Sequence, residues 1–136
     1  MKYPSLAIIG ALFVTIAIGL GAYGAHGLEY AFSETPRMKG AWGNAVDYQM
    51  FHGLALFVSG IVRIDQKRAK LWIVSGILMS LGVILFCFSI YAWVFGGSEG
   101  LIKINPLGGF SFIVAWVLLA IDQFLTLKSR NLTNDS

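Results

Sequence analysis

Hydrophobic residues run along this chain in four long blocks separated by short polar segments. No charged residue occurs from Ser5 to Ala25, from Leu71 to Ser98, or from Ile104 to Ile121, and the interval between Lys39 and Arg63 carries only Asp47. A hydrocarbon layer about 30 Å thick takes roughly 20 residues of helix at 1.5 Å per residue. Each block reaches that length, the Lys39–Arg63 block only just. The pattern predicts an all-α fold, a four-transmembrane-helix bundle. Its helices cover approximately residues 5–25, 43–62, 71–94 and 106–125, in one domain over 1–127, with a polar tail over 128–136.

Local signals refine these elements. Pro4 suits the first turn of the first helix, where a missing N–H is harmless. Lys2, the apolar run and Ala22-Tyr23-Gly24 imitate a cleavable leader, but the run is longer than the usual apolar region of one, so it is read as the first membrane helix. Ala17, Gly21 and Ala25 stand four apart and form a small-residue ladder that admits another helix backbone. The glycine-rich stretch 19–28 predicts an end or bend near Gly24–Gly27. In the polar segment 28–44, Pro36 is expected to open a short interfacial helix with Met38 and Trp42 on one face. Trp72 at one end of the third helix, and Tyr91 with Trp93 at the other, read as an aromatic belt. Asn105 is placed to cap the last helix, Pro106 to start it, and Gly108 and Gly109 to allow close packing.

Composition agrees with a lipid environment. The 136 residues are 57% hydrophobic and 12% charged, about half the charged fraction usual in soluble domains (about 25%). The net charge is +3, but its distribution says more than its sum. With four spans, Lys2, Arg63, Lys67, Arg68, Lys70, Lys128 and Arg130 fall on one side, and Arg37, Lys39 and Lys103 on the other. The positive-inside rule then places both termini and the middle loop in the cytoplasm, as in a multi-pass protein of the cell inner membrane, and the basic loop is read as a topology signal. No nucleic-acid partner is expected. The single cysteine, Cys87, lies in an apolar run and is read as a packing residue. No cofactor and no metal are expected.

Polar residues within the blocks collect in the half of the bundle away from the basic loop. They are His26, Asp47, Tyr48, Gln49, Tyr91 and Asn105, with His52 deeper. On the second helix Asn44, Tyr48, His52 and Ser59 form one stripe, with Asp47 roughly 100° from it. An ionisable group inside a membrane span raises the suspicion of function. A ligand or proton-handling pocket around Asp47, Tyr48 and His52, with His26 joining it, is one reading. The other is structural: these groups hydrogen-bond across helices, and Asp47 sits at headgroup level or in a helix first turn. The chain contains no nucleophile elbow, HExxH or P-loop, so no catalytic residues are assigned.

Four motifs, in order, resemble a known family. Gly21-Ala22-Tyr23-Gly24-Ala25-His26, Tyr48-Gln49-Met50-Phe51-His52-Gly53-Leu54-Ala55, Phe88-Ser89-Ile90-Tyr91 and Pro106-Leu107-Gly108-Gly109-Phe110-Ser111-Phe112 are similar to motifs of the YgdD/YwdK-type small membrane proteins, a domain-of-unknown-function family. The resemblance implies a multi-pass inner-membrane protein and no established activity. Phe88-Ser89-Ile90 departs from the small pair of the family pattern, which bears on the packing of the third helix.

Two functions are expected from the sequence. The first is a non-enzymatic accessory or interaction protein of the plasma membrane, embedded in the lipid bilayer within a larger membrane complex or a homo-oligomer. The second is a carrier, channel or sensor for a small solute or protons, with an outward-facing site around His52 and Asp47.

Overall fold

The structure is a computed structural model that describes residues 3–62 and 69–134. Among these residues every regular element is helical. Helix α1 spans Pro4–His26, the short α2 Glu29–Glu34, α3 Pro36–Ile61, α4 Ala69–Val94 and α5 Asn105–Asn134, with a 3₁₀ segment at Glu99–Ile104. Lys2 and the basic run Arg63, Lys67 and Arg68 lie outside the described residues.

Three helical segments are both long and apolar enough to cross a membrane: Pro4–His26, Ala69–Val94 and Glu99–Ser129. The fourth long helix, α3, has 26 residues, or about 39 Å, yet is more polar. That polarity lies at its start, in Arg37 and Lys39, on its buried face, in Gln49, His52 and Ser59, and in the exposed Asn44 and Asp47. Its exposed residues from Phe51 onward include Leu54, Phe57, Val58 and Ile61, all apolar.

The helices form two antiparallel pairs, α1 with α3 and α4 with α5, which pack together through α3 and α4. Missing side chains set the first pairing. A Cβ at Gly10 would strike the backbone of Phe57 and Gly53, and one at Gly60 would strike the backbone and Cβ of Ala7. Along α1 the buried positions are Leu6, Gly10, Ala17 and Gly24. Of the expected ladder, Ala17 is buried, Gly21 faces Val46 at ordinary contact distance, and Ala25 is exposed. The closest approaches use Gly10 and Gly24, seven residues either side of Ala17, so the seam follows a seven-residue spacing.

Glycine serves differently at the end of α4. Gly96 takes φ +98°, its N–H reaches the Trp93 carbonyl, and the Gly97 N–H reaches that of Ala92 at 2.9 Å. This is a Schellman stop, which needs a residue free to enter the left-handed region.

Several local expectations are corrected. Pro36 opens the 26-residue α3 rather than a separate interfacial helix, and Trp42 is buried in the core. The short helix lies before it, as α2. Tyr91 and Trp93 are buried, so they form no lipid-facing belt; Tyr23, Tyr30 and Phe95 are the exposed aromatics at that end. The last helix continues to Asn134, through the segment read as a polar tail. Finally, α4 contains a π-helical segment at Val83–Phe88, next to the place where its sequence departs from the family pattern. A π segment carries an extra residue per turn and rotates the residues beyond it around the helix axis. Here the next turn points Ile90, Tyr91, Trp93 and Val94 into the core.

Candidate functional site

The α1–α3 contacts fix the levels of the bundle. Gly24 lies against Trp42, Gly21 against Val46, and Ala7 against Gly60, so paired residue numbers add to 66 or 67. His52 is therefore level with about residue 15 of α1, and His26 is eleven residues, or roughly 16 Å, away along the axis. His26 is exposed in the last turn of α1. The two histidines do not share a site.

His52 is 6% exposed and held on every side. Its ring stacks on Phe112 with centroids 3.6 Å apart and lies near-parallel to Tyr48. The Trp116 indole Nε1 donates to His52 Nε2 at 3.1 Å. Indole is a donor only, so Nε2 carries no proton, and the proton sits on Nδ1, which donates to the Tyr48 carbonyl at 2.7 Å. The neutral Nδ1–H tautomer satisfies both nitrogens, and a second proton would displace Trp116.

Asp47 stands five residues earlier, about 140° around α3. It is exposed and opens on a groove between α1, α2 and α3. His52 faces α5 instead. The structure thus divides the expected cluster: His52 joins Tyr48, Phe112 and Trp116, Asp47 joins the groove, and His26 remains at a helix end.

Most of the remaining buried polar groups tie helices together. Gln49 is fully buried, and its Nε2 donates to the Phe13 carbonyl of α1 at 2.9 Å, while its Oε1 is unpartnered. Trp42 Nε1 donates to the Leu20 carbonyl of α1 and Trp72 Nε1 to the Ser59 carbonyl of α3, each at 3.0 Å. Ser75 donates to the Ala115 carbonyl at 2.8 Å and Ser111 to that of Leu78 at 2.7 Å, a reciprocal clasp between α4 and α5. Sequence reasoning missed this clasp. The readable signal was the small-residue run Gly108, Ser111, Ala115 at helical spacing on α5, which lies against Phe86, Leu78 and Ser75 of α4. At the charged end Arg37 pairs with Glu99 at 3.0 Å and lies 5.0 Å from the Trp93 ring.

Asn105 and Tyr91 complete the expected set. Tyr91 packs edge-on to Trp42, its hydroxyl buried without a partner. Asn105 opens α5 and meets Ser89, whose hydroxyl also faces the carbonyls of Leu85 and Phe86. One hydroxyl proton cannot serve three acceptors. The arrangement closes when Asn105 presents its amide nitrogen to Ser89 Oγ and the hydroxyl donates to a carbonyl beside the π segment. Gly108 lies against the Phe86 backbone, where a Cβ would come within 2.6 Å; a Cβ at Gly109 would meet open space. Among the described residues no group of three metal-ligating side chains occurs.

Fold and site together define a small helical membrane protein in which most of the buried polar side chains bind helix to helix. A family model described as "Protein of unknown function (DUF423)" matches residues 20–109. The UPF0382 membrane protein SH2409 of Staphylococcus haemolyticus is 38% identical over 117 residues, covering 86% of this chain and 93% of that protein. YwdK of Bacillus subtilis, another UPF0382 membrane protein, is 35% identical over 114 residues, covering 84% and 91%. The chain belongs to this DUF423 family of membrane proteins, as its motifs indicated. No solved structure matches it.

Proposed function

We propose that this protein is a four-span, multi-pass protein of the inner membrane with both termini in the cytoplasm, and that it acts as a non-enzymatic accessory or interaction protein. The observation that carries the reading is the use of His52: both ring nitrogens are engaged between α3 and α5, and its ring faces away from Asp47. A carrier built on this pair would need the two groups in one cavity.

The spans are supported by a band in which Asp47 is the one charged side chain among the described residues. From the end of the 3₁₀ segment into α5, the interval between Lys103 and Asp122 holds 18 residues, Ile104–Ile121, or about 27 Å. Lys70 and Lys128 lie beyond one edge of the band, and Glu29, Glu34, Arg37, Lys39, Glu99 and Lys103 beyond the other. Phe51, Leu107, Phe110 and Ile113 are each more than 60% exposed, which gives the bundle an apolar exterior for lipid or a membrane partner. Isolation from its own membrane in mild detergent after cross-linking in intact cells tests the reading. The expected product is a defined assembly larger than the 14.8 kDa chain. A clean monomer, or solute flux in proteoliposomes that disappears in His52→Ala, would count against it.

A further inference from the structure

The groove that Asp47 enters has the features of a ligand site. Its wider part, about 550 Å³, lies between the end of α1, α2 and the start of α3, with Glu29 and Lys39 among its lining residues. A deeper part of about 230 Å³ continues down α1 and α3 to Val46 and Asp47. Gly24, Ala25, Phe32 and Lys39 line both parts, so the two form one continuous groove. Glycine makes the room: Gly21 and Gly43 line the deeper part, and a Cβ on Gly43 would meet nothing within 4 Å.

Three charges surround this groove, and none of them is in an ion pair among the described residues; the one pair at that end is Arg37 with Glu99. Asp47 is level with about residue 20 of α1, six residues or roughly 9 Å inside the end of that helix. A carboxylate at that depth favours a cation beside it, and the nearest helices supply none at its level. Lys39 stands two turns above it on the same helix. An anion alone would bind Lys39 but face Glu29 and Asp47. An amine alone would satisfy the carboxylates but face Lys39. A zwitterion with an ammonium and a phosphate a few ångströms apart satisfies both signs, and Phe32 and Trp42 offer aromatic walls to the ammonium.

We infer that the groove between α1, α2 and α3 binds an ammonium–phosphate zwitterion of the phosphoethanolamine type, with the phosphate at Lys39 and the ammonium at Asp47, the carboxylate of the deeper part. The nearest source of that chemistry is the headgroup of a bilayer phospholipid, because the groove descends beside the apolar band. A water-borne phosphoethanolamine carries the same groups.

The test is calorimetric titration of the full chain in detergent micelles with three probes: short-chain phosphatidylethanolamine, short-chain phosphatidylglycerol and soluble phosphoethanolamine. Saturable binding of phosphatidylethanolamine is expected, at least tenfold weaker in Asp47→Asn and in Gly43→Leu and unchanged in Gly40→Leu. Gly40 also meets open space, but it does not line the groove. Asp47→Asn keeps the shape of the side chain, so the test survives if Gly43→Leu fails to fold. Binding of soluble phosphoethanolamine with the same dependence on the variants would assign the water-borne source, and binding of the lipid alone would assign the bilayer. The inference is overturned if phosphatidylethanolamine binds no tighter than phosphatidylglycerol, or if Asp47→Asn binds as well as the parent chain.

Discussion

At the scale of single residues, glycines and one histidine set the character of this protein. Gly10 and Gly60 have the partner helix where a side chain would begin. Replacing either with alanine forces α1 away from α3, and overpacking of this kind costs about 1–3 kcal/mol or more. A Cβ at Gly19 meets nothing within 4 Å, and there alanine gains up to about 1 kcal/mol of helix propensity. Thermal unfolding in detergent is expected to rank Gly19→Ala at or above the parent and both Gly10→Ala and Gly60→Ala well below it. Gln49 makes a second contrast. Its amide donates across to Phe13 while its Oε1 has no partner, so Gln49→Leu loses one interhelical bond and one buried orphan together. Such bonds average about 0.6 kcal/mol within membranes. The net loss of stability in the same assay is expected to stay below about 1 kcal/mol.

At the scale of elements, the α4–α5 pair rests on the Ser75–Ala115 and Ser111–Leu78 bonds beside the close contacts of Gly82 with Phe112 and Gly108 with Phe86. Ser75→Ala and Ser111→Ala are each expected to lower stability by about 0.5–1.5 kcal/mol. Because the two bonds join the same helices, a double-mutant cycle should show coupling between them. This clasp is hard to read from sequence, since serine in an apolar run carries little pattern of its own. The hydrophobic blocks themselves are legible, because charge-free runs of this length have few other uses. The glycine-rich stretch puts the end of the first helix near Gly24–Gly27, and the helix ends at His26. The π segment is not legible: its only trace is a departure from the family pattern at Phe88-Ser89-Ile90. Aromatic residues near a span end commonly lie at the lipid interface, which is why the sequence alone puts Tyr91 and Trp93 there. The π segment turns them inward instead, onto Trp42 and beneath Arg37.

At the scale of the whole molecule, the polar residues of the second block suggest convergence, because a helical stripe gives the angle of each residue but not which neighbour occupies that angle. Tyr48 and His52 face Phe112 of α5, while Asp47 faces the α1–α2 groove. Only the packing of α3 between α1 and the α4–α5 pair separates them. The proposed four-span arrangement makes a further prediction. Cys87 is the only cysteine and is buried, so it serves as a silent background. In intact cells a membrane-impermeant maleimide is expected to label Ser33→Cys, in α2, and to label Ser129→Cys only after permeabilisation. Labelling of both in intact cells, or of Ser129→Cys alone, would reverse or break the arrangement.

In the proposed reading His52 is a fixed interhelical joint and not a working group of a pathway. Nitrogen-15 NMR of the protein in detergent or nanodiscs addresses it directly, through the His52 tautomer and a scalar coupling across the hydrogen bond from Trp116 Nε1 to His52 Nε2. An Nδ1–H imidazole with that coupling present is expected, and loss of the coupling in Trp116→Phe. An Nε2–H imidazole, or a His52 signal indifferent to Trp116→Phe, would contradict it.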